Sequence, residues 1–91
     1  MSDKIRQGRR VCPREDGSLW LAEGDYGRDR SGRWQAWPFG QSMGDLSNHE
    51  VIEHEDGTIT VSPSILITTY DNDCKIEWHG YLERGVWRQI D

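Results

Sequence analysis

Glu50-Val51-Ile52-Glu53-His54-Glu55-Asp56-Gly57-Thr58-Ile59-Thr60-Val61-Ser62 is the stretch that decides the fold class. Thr58-Ile59-Thr60-Val61 alternates polar and apolar side chains, as a strand buried on one face does. Val51 and Ile52 are β-branched and suit a pleated surface. Asp56-Gly57 between the runs is a hairpin turn, because glycine takes the positive φ of tight turns without steric cost. Residues 50–54 are therefore expected to pair antiparallel with residues 58–62.

Upstream, Glu15-Asp16-Gly17-Ser18-Leu19-Trp20-Leu21 carries a second hairpin signal, offset by forty residues. Val11, Glu15, Asp16 and Gly17 recur as Val51, Glu55, Asp56 and Gly57. Two readings stand: a duplicated ββ unit, or two hairpins that independently use common turn residues. Downstream, Ile65-Leu66-Ile67-Thr68-Thr69-Tyr70 is β-branched and aromatic, and Lys75-Ile76-Glu77-Trp78-His79 alternates. A further strand, a turn at Glu83-Arg84-Gly85 and a last strand close the chain. Gly24 to Gly32, and Gly40 to Gly44, are expected to be loops. Ser47-Asn48-His49-Glu50 fits a capping box, and the β-branched residues after it allow one helical turn at most. The expected fold is all-β: a small single-domain antiparallel sandwich or partly open barrel of six to seven short strands.

Length and composition agree. Ninety-one residues make one domain, 1–91, with a small core. Val, Ile, Leu and Phe number seventeen, and five Trp with three Tyr supply the missing apolar area. Trp20 and Trp78, flanked by strand residues, are expected in that core. Trp34 and Trp37, at an odd spacing, should lie on opposite strand faces, which leaves one of them as an exposed contact residue. The chain has no run of about 20 apolar residues to span a bilayer. Its first ten residues hold no apolar stretch of a signal peptide, so a cytoplasmic location is expected.

The net charge of −5 is unevenly spread. Residues 1–34 are slightly basic and residues 35–91 strongly acidic. The acidic part repels nucleic acid and attracts a basic protein surface. With the surplus aromatics, it makes Trp34, Trp37, Asp45, Glu53, Glu55 and Asp56 the candidate partner-binding residues. Residues 1–10 are expected to form a flexible basic arm. Arg6, Arg9, Arg10 and Arg14 are the candidates for the alternative, a small metal-stabilised nucleic-acid-binding module.

No strong chemical motif is present. Cys12, His49, His54, Cys74 and His79 are the thiol and imidazole ligands available. Cys74 and His79 form the weak metal alternative, at a spacing that a regular strand directs to opposite faces. Cys74, His79 and Asp73 hold the residue types of nucleophilic catalysis, without a nucleophile elbow or a phosphate loop. Among Glu53, Glu55, Asp56 and Glu77, nothing singles out a catalytic carboxylate pair. A non-enzymatic protein with no cofactor is expected. Two cysteines without a CxxC spacing favour a reducing compartment. The oligomeric state stays open, a homodimer included.

Asp56-Gly57-Thr58-Ile59-Thr60-Val61-Ser62-Pro63-Ser64-Ile65, then Cys74, then His79-Gly80-Tyr81-Leu82-Glu83-Arg84-Gly85, resembles a family of small uncharacterised bacterial and phage proteins. The resemblance covers roughly residues 50–87. Family members often carry a cysteine-rich segment upstream that suggests a metal site. This chain has only Cys12 there, and its Cys74 and His79 stand further apart than the family's C-x-x-H. The resemblance implies a small β fold and a phage or mobile-element setting, with the host cytoplasm as location. It implies no activity. The resulting expectation is an accessory protein that binds, and by binding can inhibit, a host protein.

Overall fold

The hairpin at Asp56-Gly57 is formed in the computed structural model of the chain, which describes residues 4–90. Glu50 pairs with Ser62, Val51 with Val61, Ile52 with Thr60 and Glu53 with Ile59. The His54 N–H donates to the Thr58 carbonyl at 2.8 Å. Asp56 Oδ1 accepts from the Thr58 N–H and hydroxyl at 3.0 and 2.6 Å. Alternation then buries Ile59 and Val61 and leaves Ile52 exposed.

Nine strands are formed among the described residues: β1 (Lys4–Gln7), β2 (Arg9–Val11), β3 (Asp25–Arg28), β4 (Trp34–Phe39), β5 (Ser42–Asp45), β6 (Glu50–Glu53), β7 (Ile59–Asp71), β8 (Cys74–Glu83) and β9 (Val86–Gln89). They make a five-stranded sheet, β1-β9-β8-β7-β6, and a four-stranded sheet, β2-β3-β4-β5. Every pairing is antiparallel except β2 with β3, which is parallel. The molecule is an all-β sandwich, not closed into a barrel.

The strand count exceeds the expected six to seven, for local reasons. Residues 4–10, expected as a flexible arm, are corrected to two paired strands that cross from one sheet to the other at Gly8; residues 1–3 lie outside the described residues. A Cβ on Gly8 would stand 2.7 Å from the Gly85 carbonyl and 2.9 Å from Trp87 Nε1, so no side chain fits at the crossing. The segment from Gly24 to Gly32 holds β3 rather than a loop throughout. Tyr26 is buried there, and Gly27 has no room for a Cβ beside the Val11 carbonyl and Leu19. The segment Gly40 to Gly44, also expected as loop, contributes most of β5, Ser42–Asp45. Asn72-Asp73 turns β7 into β8 with both residues at positive φ, 50° and 66°. That hairpin was legible in the sequence, since Asn and Asp tolerate the left-handed region. Ser47–His49 form a turn, closed by the His49 N–H on the Leu46 carbonyl at 3.0 Å, in place of a helical turn.

Both sheets contribute to one core. Tyr26 and Ala36 come from the four-stranded sheet; Ile59, Val61, Ile65, Ile67, Trp78, Leu82 and Trp87 come from the five-stranded one. Trp87 is central: it meets Tyr26 and Trp78 edge-on, with centroids 6.2 and 5.8 Å apart. Its Nε1 donates to the Gly24 carbonyl across the sandwich at 2.8 Å. In β4 the register advances three residues, from Ala36 to Phe39, while β5 advances two. This bulge turns Phe39 inward, stacked on Trp78 at 6.0 Å, despite its odd spacing from the buried Ala36.

Candidate functional site

The Asp16-Gly17 turn also forms. The Arg14 N–H donates to the Ser18 carbonyl at 2.8 Å, and Asp16 Oδ1 accepts from the Ser18 N–H and hydroxyl at 2.9 and 2.6 Å. This is the bond set of the Asp56 turn, but the likeness ends there. The residues around Asp16 form no ladder and instead pack on the outer face of the four-stranded sheet. Leu19 lies against Gly27, where the Val11 carbonyl already leaves no room for a Cβ.

Between this segment and β5 the sheet is left uncovered. Leu19, Leu21, Asp29, Gln35 and Met43 line a partly open pocket of about 280 Å³. Gln35 faces it because its β4 neighbour Ala36 is fully buried on the opposite face; Gly27 and Asp45 are its cross-strand partners. Asp29 heads the β3–β4 turn. Its Oδ1 accepts from the Ser31 hydroxyl at 2.6 Å and the Arg33 N–H at 3.0 Å, and its Oδ2 from Gln35 Nε2 at 3.2 Å. The Ser31 hydroxyl first, then the Arg33 N–H and Gln35, hold the Asp29 carboxyl down at a pKa of about 2. Asp45 is lowered too, chiefly by the Ser47 hydroxyl and N–H, with Arg33 and Asp29 acting on it in opposite senses. Between the lining residues Leu19 and Leu21 in the chain, Trp20 is 64% exposed, with its Nε1 on Ser18 Oγ at 2.9 Å and the Arg14 guanidinium over its ring at 5.0 Å.

Trp20 is thus corrected from core to surface, whereas Trp78 is buried as expected. Trp34 and Trp37 are both half-buried, so neither is the exposed contact residue that their spacing suggested. Trp34 packs on the edge of the core beneath Arg10, and Trp37 gives its carbonyl to the Gly24 N–H. Glu53 is held by Arg10 at 2.7 Å. Glu55 and Asp56 are exposed at the far hairpin tip. Of the six sequence candidates for partner contact, only Asp45 sits beside the pocket.

The four arginines do not form an open basic face. Arg6 pairs with Glu23 at 2.8 Å, donates to the Pro38 carbonyl and covers the Phe39 ring. Arg9 grips the buried Asp25 through Nε and Nη2, at 3.2 and 2.9 Å. Arg10 joins Glu53, the Gly57 carbonyl and the Trp34 ring. Arg14 lies on Trp20.

Cys12 and Cys74 are both free and exposed. Along β8, Cys74 and His79 have the odd offset that sends them to opposite faces, and His79 meets Ser64 Oγ at 3.0 Å instead. Among the described residues no group of three or more His, Cys, Asp and Glu is placed to hold a metal ion. No helix among them is long and apolar enough to cross a membrane. The outer face of the five-stranded sheet carries Ile5, Ile52, Leu66 and Tyr70, all exposed, interleaved with charges such as Lys75 and Glu77.

Sequence reasoning missed Leu19, Trp20, Leu21, Asp29, Gln35 and Met43 as one site. A signal was available: Asp16, Asp29, Asp45 and Asp56 each precede a Ser or Thr by two residues, which marks four tight turns. Comparison with protein-family models, curated proteins and solved structures finds no match to this chain.

Proposed function

We propose that this chain is a non-enzymatic binding protein, an accessory of phage or mobile-element origin that engages a host protein through the outer face of its four-stranded sheet. The observation that carries the reading is the exposed Trp20, set in the chain between Leu19 and Leu21, which line a pocket with aliphatic walls and an ionised carboxylate. Tryptophan is enriched among residues that dominate binding energy, and such residues sit beside pockets rather than on flat charged surfaces. The alternating charges on the five-stranded face make it the weaker candidate. The phage setting rests on the resemblance of residues 50–87 alone. Support for a binding rather than a catalytic role comes from β8, whose alternation turns the exposed Cys74 away from His79. The nucleic-acid alternative is less supported, because Arg6, Arg9 and Arg10 already satisfy carboxylates of this chain.

The test is affinity capture from a bacterial host lysate with the intact chain and two surface variants. Trp20→Ala should lose the captured protein, and Leu66→Ser, on the opposite sheet, should retain it. Capture of nothing, or the same protein held equally by Trp20→Ala, overturns the reading.

A further inference from the structure

We propose that the pocket lined by Leu19, Leu21, Asp29, Gln35 and Met43 seats one arginine side chain of the protein partner. This rests on the protein-binding reading and names the chemistry that the partner must present. Size is the first argument. Pockets for small-molecule ligands run from about 300 to 1,000 Å³, and this one, at about 280 Å³, falls just short of that range. A single long side chain fits it better than a cofactor does.

The lining supplies the second argument. Leu19, Leu21 and Met43 offer apolar walls, which suit the methylene stem of a basic side chain while its charged head reaches a polar end. Met43 stands 54% exposed at the rim, and an unbranched thioether adapts to what enters.

The third argument concerns acceptors. A carboxylate only accepts hydrogen bonds, so its contact with Gln35 fixes that amide with nitrogen toward Asp29 and leaves the carbonyl free to accept. Asp29 Oδ2 takes one bond, from Gln35, and has capacity for a second. A carboxylate oxygen and an amide carbonyl on neighbouring side chains match the fork of a guanidinium, which presents five N–H donors in one plane. Asp29 is the charged group of the lining itself, while the neighbouring cations are turned elsewhere: Arg30 to the Arg14 and Glu15 carbonyls and Arg14 to the Trp20 ring. The charge inside the pocket therefore favours a cation.

The experiment is an NMR titration of the intact protein with acetyl-Gly-Leu-Arg-Leu-Gly-amide, with the same peptide carrying citrulline for arginine, and with arginine amide. Citrulline keeps the shape and removes the charge. Saturable shifts are expected at the Met43, Leu19 and Leu21 methyls and at the Gln35 side-chain amide. The citrulline peptide should bind at least tenfold more weakly. Arginine amide should bind several-fold more weakly than the peptide, because only the peptide has leucines to reach Trp20, and Trp20→Ala should abolish that difference. Asp45→Asn, exposed and outside the lining, should weaken the arginine peptide two- to threefold. Absence of saturable shifts, equal binding of the citrulline peptide, or arginine amide binding as tightly as the peptide overturns the proposal. If capture from lysate still depends on Trp20 while the two peptides bind alike, the arginine assignment fails and the protein-binding reading stands. If capture fails as well, both fall.

Discussion

At the level of single residues, short aspartate turns define the surface of this protein. Asp16, Asp29, Asp45 and Asp56 accept hydroxyl hydrogen bonds from Ser18, Ser31, Ser47 and Thr58 at 2.6, 2.6, 2.9 and 2.6 Å. Each also accepts a backbone N–H, and all four carboxyls are held below their ordinary pKa, with the hydroxyl as the largest cause. A folded-state pKa below the unfolded value of about 3.9 stabilises the fold above that pH. The stabilisation is lost as pH falls through the folded values, about 2 for Asp29. The denaturant midpoint should therefore be level above about pH 5 and decline between about pH 4 and 2. Asp29→Asn should show a shallower decline; an unchanged slope in that variant contradicts the assignment. Inside the core, Trp87→Phe keeps a ring but removes one of two donors to the buried Gly24 carbonyl, which retains the Arg9 N–H at 3.2 Å. Chemical denaturation should show a loss of about 0.5–1.5 kcal/mol, the usual net worth of one hydrogen bond, beyond the loss of ring area. These aspartate turns were legible residue by residue, because an Asp two positions before Ser or Thr needs nothing from the rest of the chain.

At the level of elements, agreement with the sequence follows how local each element is. β6, β7, the start of β8 and the β8–β9 turn were expected, since each shows its alternation and turn residues within a few positions. β1, β2, β3 and β5 were not. β1 and β2 are four- and three-residue strands that hold Arg6, Arg9 and Arg10, and their placement depends on Gly8 passing beneath Gly85 and Trp87. Gly8→Ala should accordingly be costly, by about 1–3 kcal/mol for an overpacked site. For a domain near this size that corresponds to a fall in Tm of several degrees, about 4–8 °C per kcal/mol. Thermal melts followed by tryptophan fluorescence would check it, and an unchanged Tm would show that the crossing has slack. β3 was hidden because its glycines and charges look like a loop. In fact Gly27 is there because a Cβ would run into the Val11 carbonyl of β2, with Leu19 beside it, and Asp25 is buried because Arg9 and the Ala22 N–H satisfy it. Trp34 packs on the core and Trp37 does not, but both are half-buried, because Arg10 covers the Trp34 ring and Trp37 Nε1 is tied to the Gly40 carbonyl, so their spacing did not reveal an exposed contact residue.

At the level of the whole molecule, the basic N-terminal stretch works inward. Arg6 reaches from the five-stranded sheet to Glu23 and Phe39 on the other, and Arg10 reaches back to Glu53. Partly exposed pairs of this kind contribute little individually, about 0–1 kcal/mol, but they tie two arginines of the basic stretch to carboxylates of the chain. Four phosphate-contacting arginines would give a salt slope of about −3.6, at about −0.9 each. Duplex DNA binding by this protein should instead be weak and nearly flat between low and moderate salt, measured by fluorescence anisotropy; a slope near the larger value would restore the nucleic-acid alternative. The same folding event creates the pocket. Its lining comes from the 19–21 segment, the β3–β4 turn, β4 and β5, which no sequence window unites. The sequence by itself determined that the chain is all-β, that it makes hairpins at Asp56 and Arg84 and a tight turn at Asp16, and where its acidic charge lies, because these follow from alternation, turn residues and composition within a few positions. Only the tertiary structure decided which tryptophan stays outside, where the arginines spend their charge, and which aliphatics gather around Asp29. Those depend on how two sheets pack and how the chain crosses between them, a relation among residues far apart in sequence.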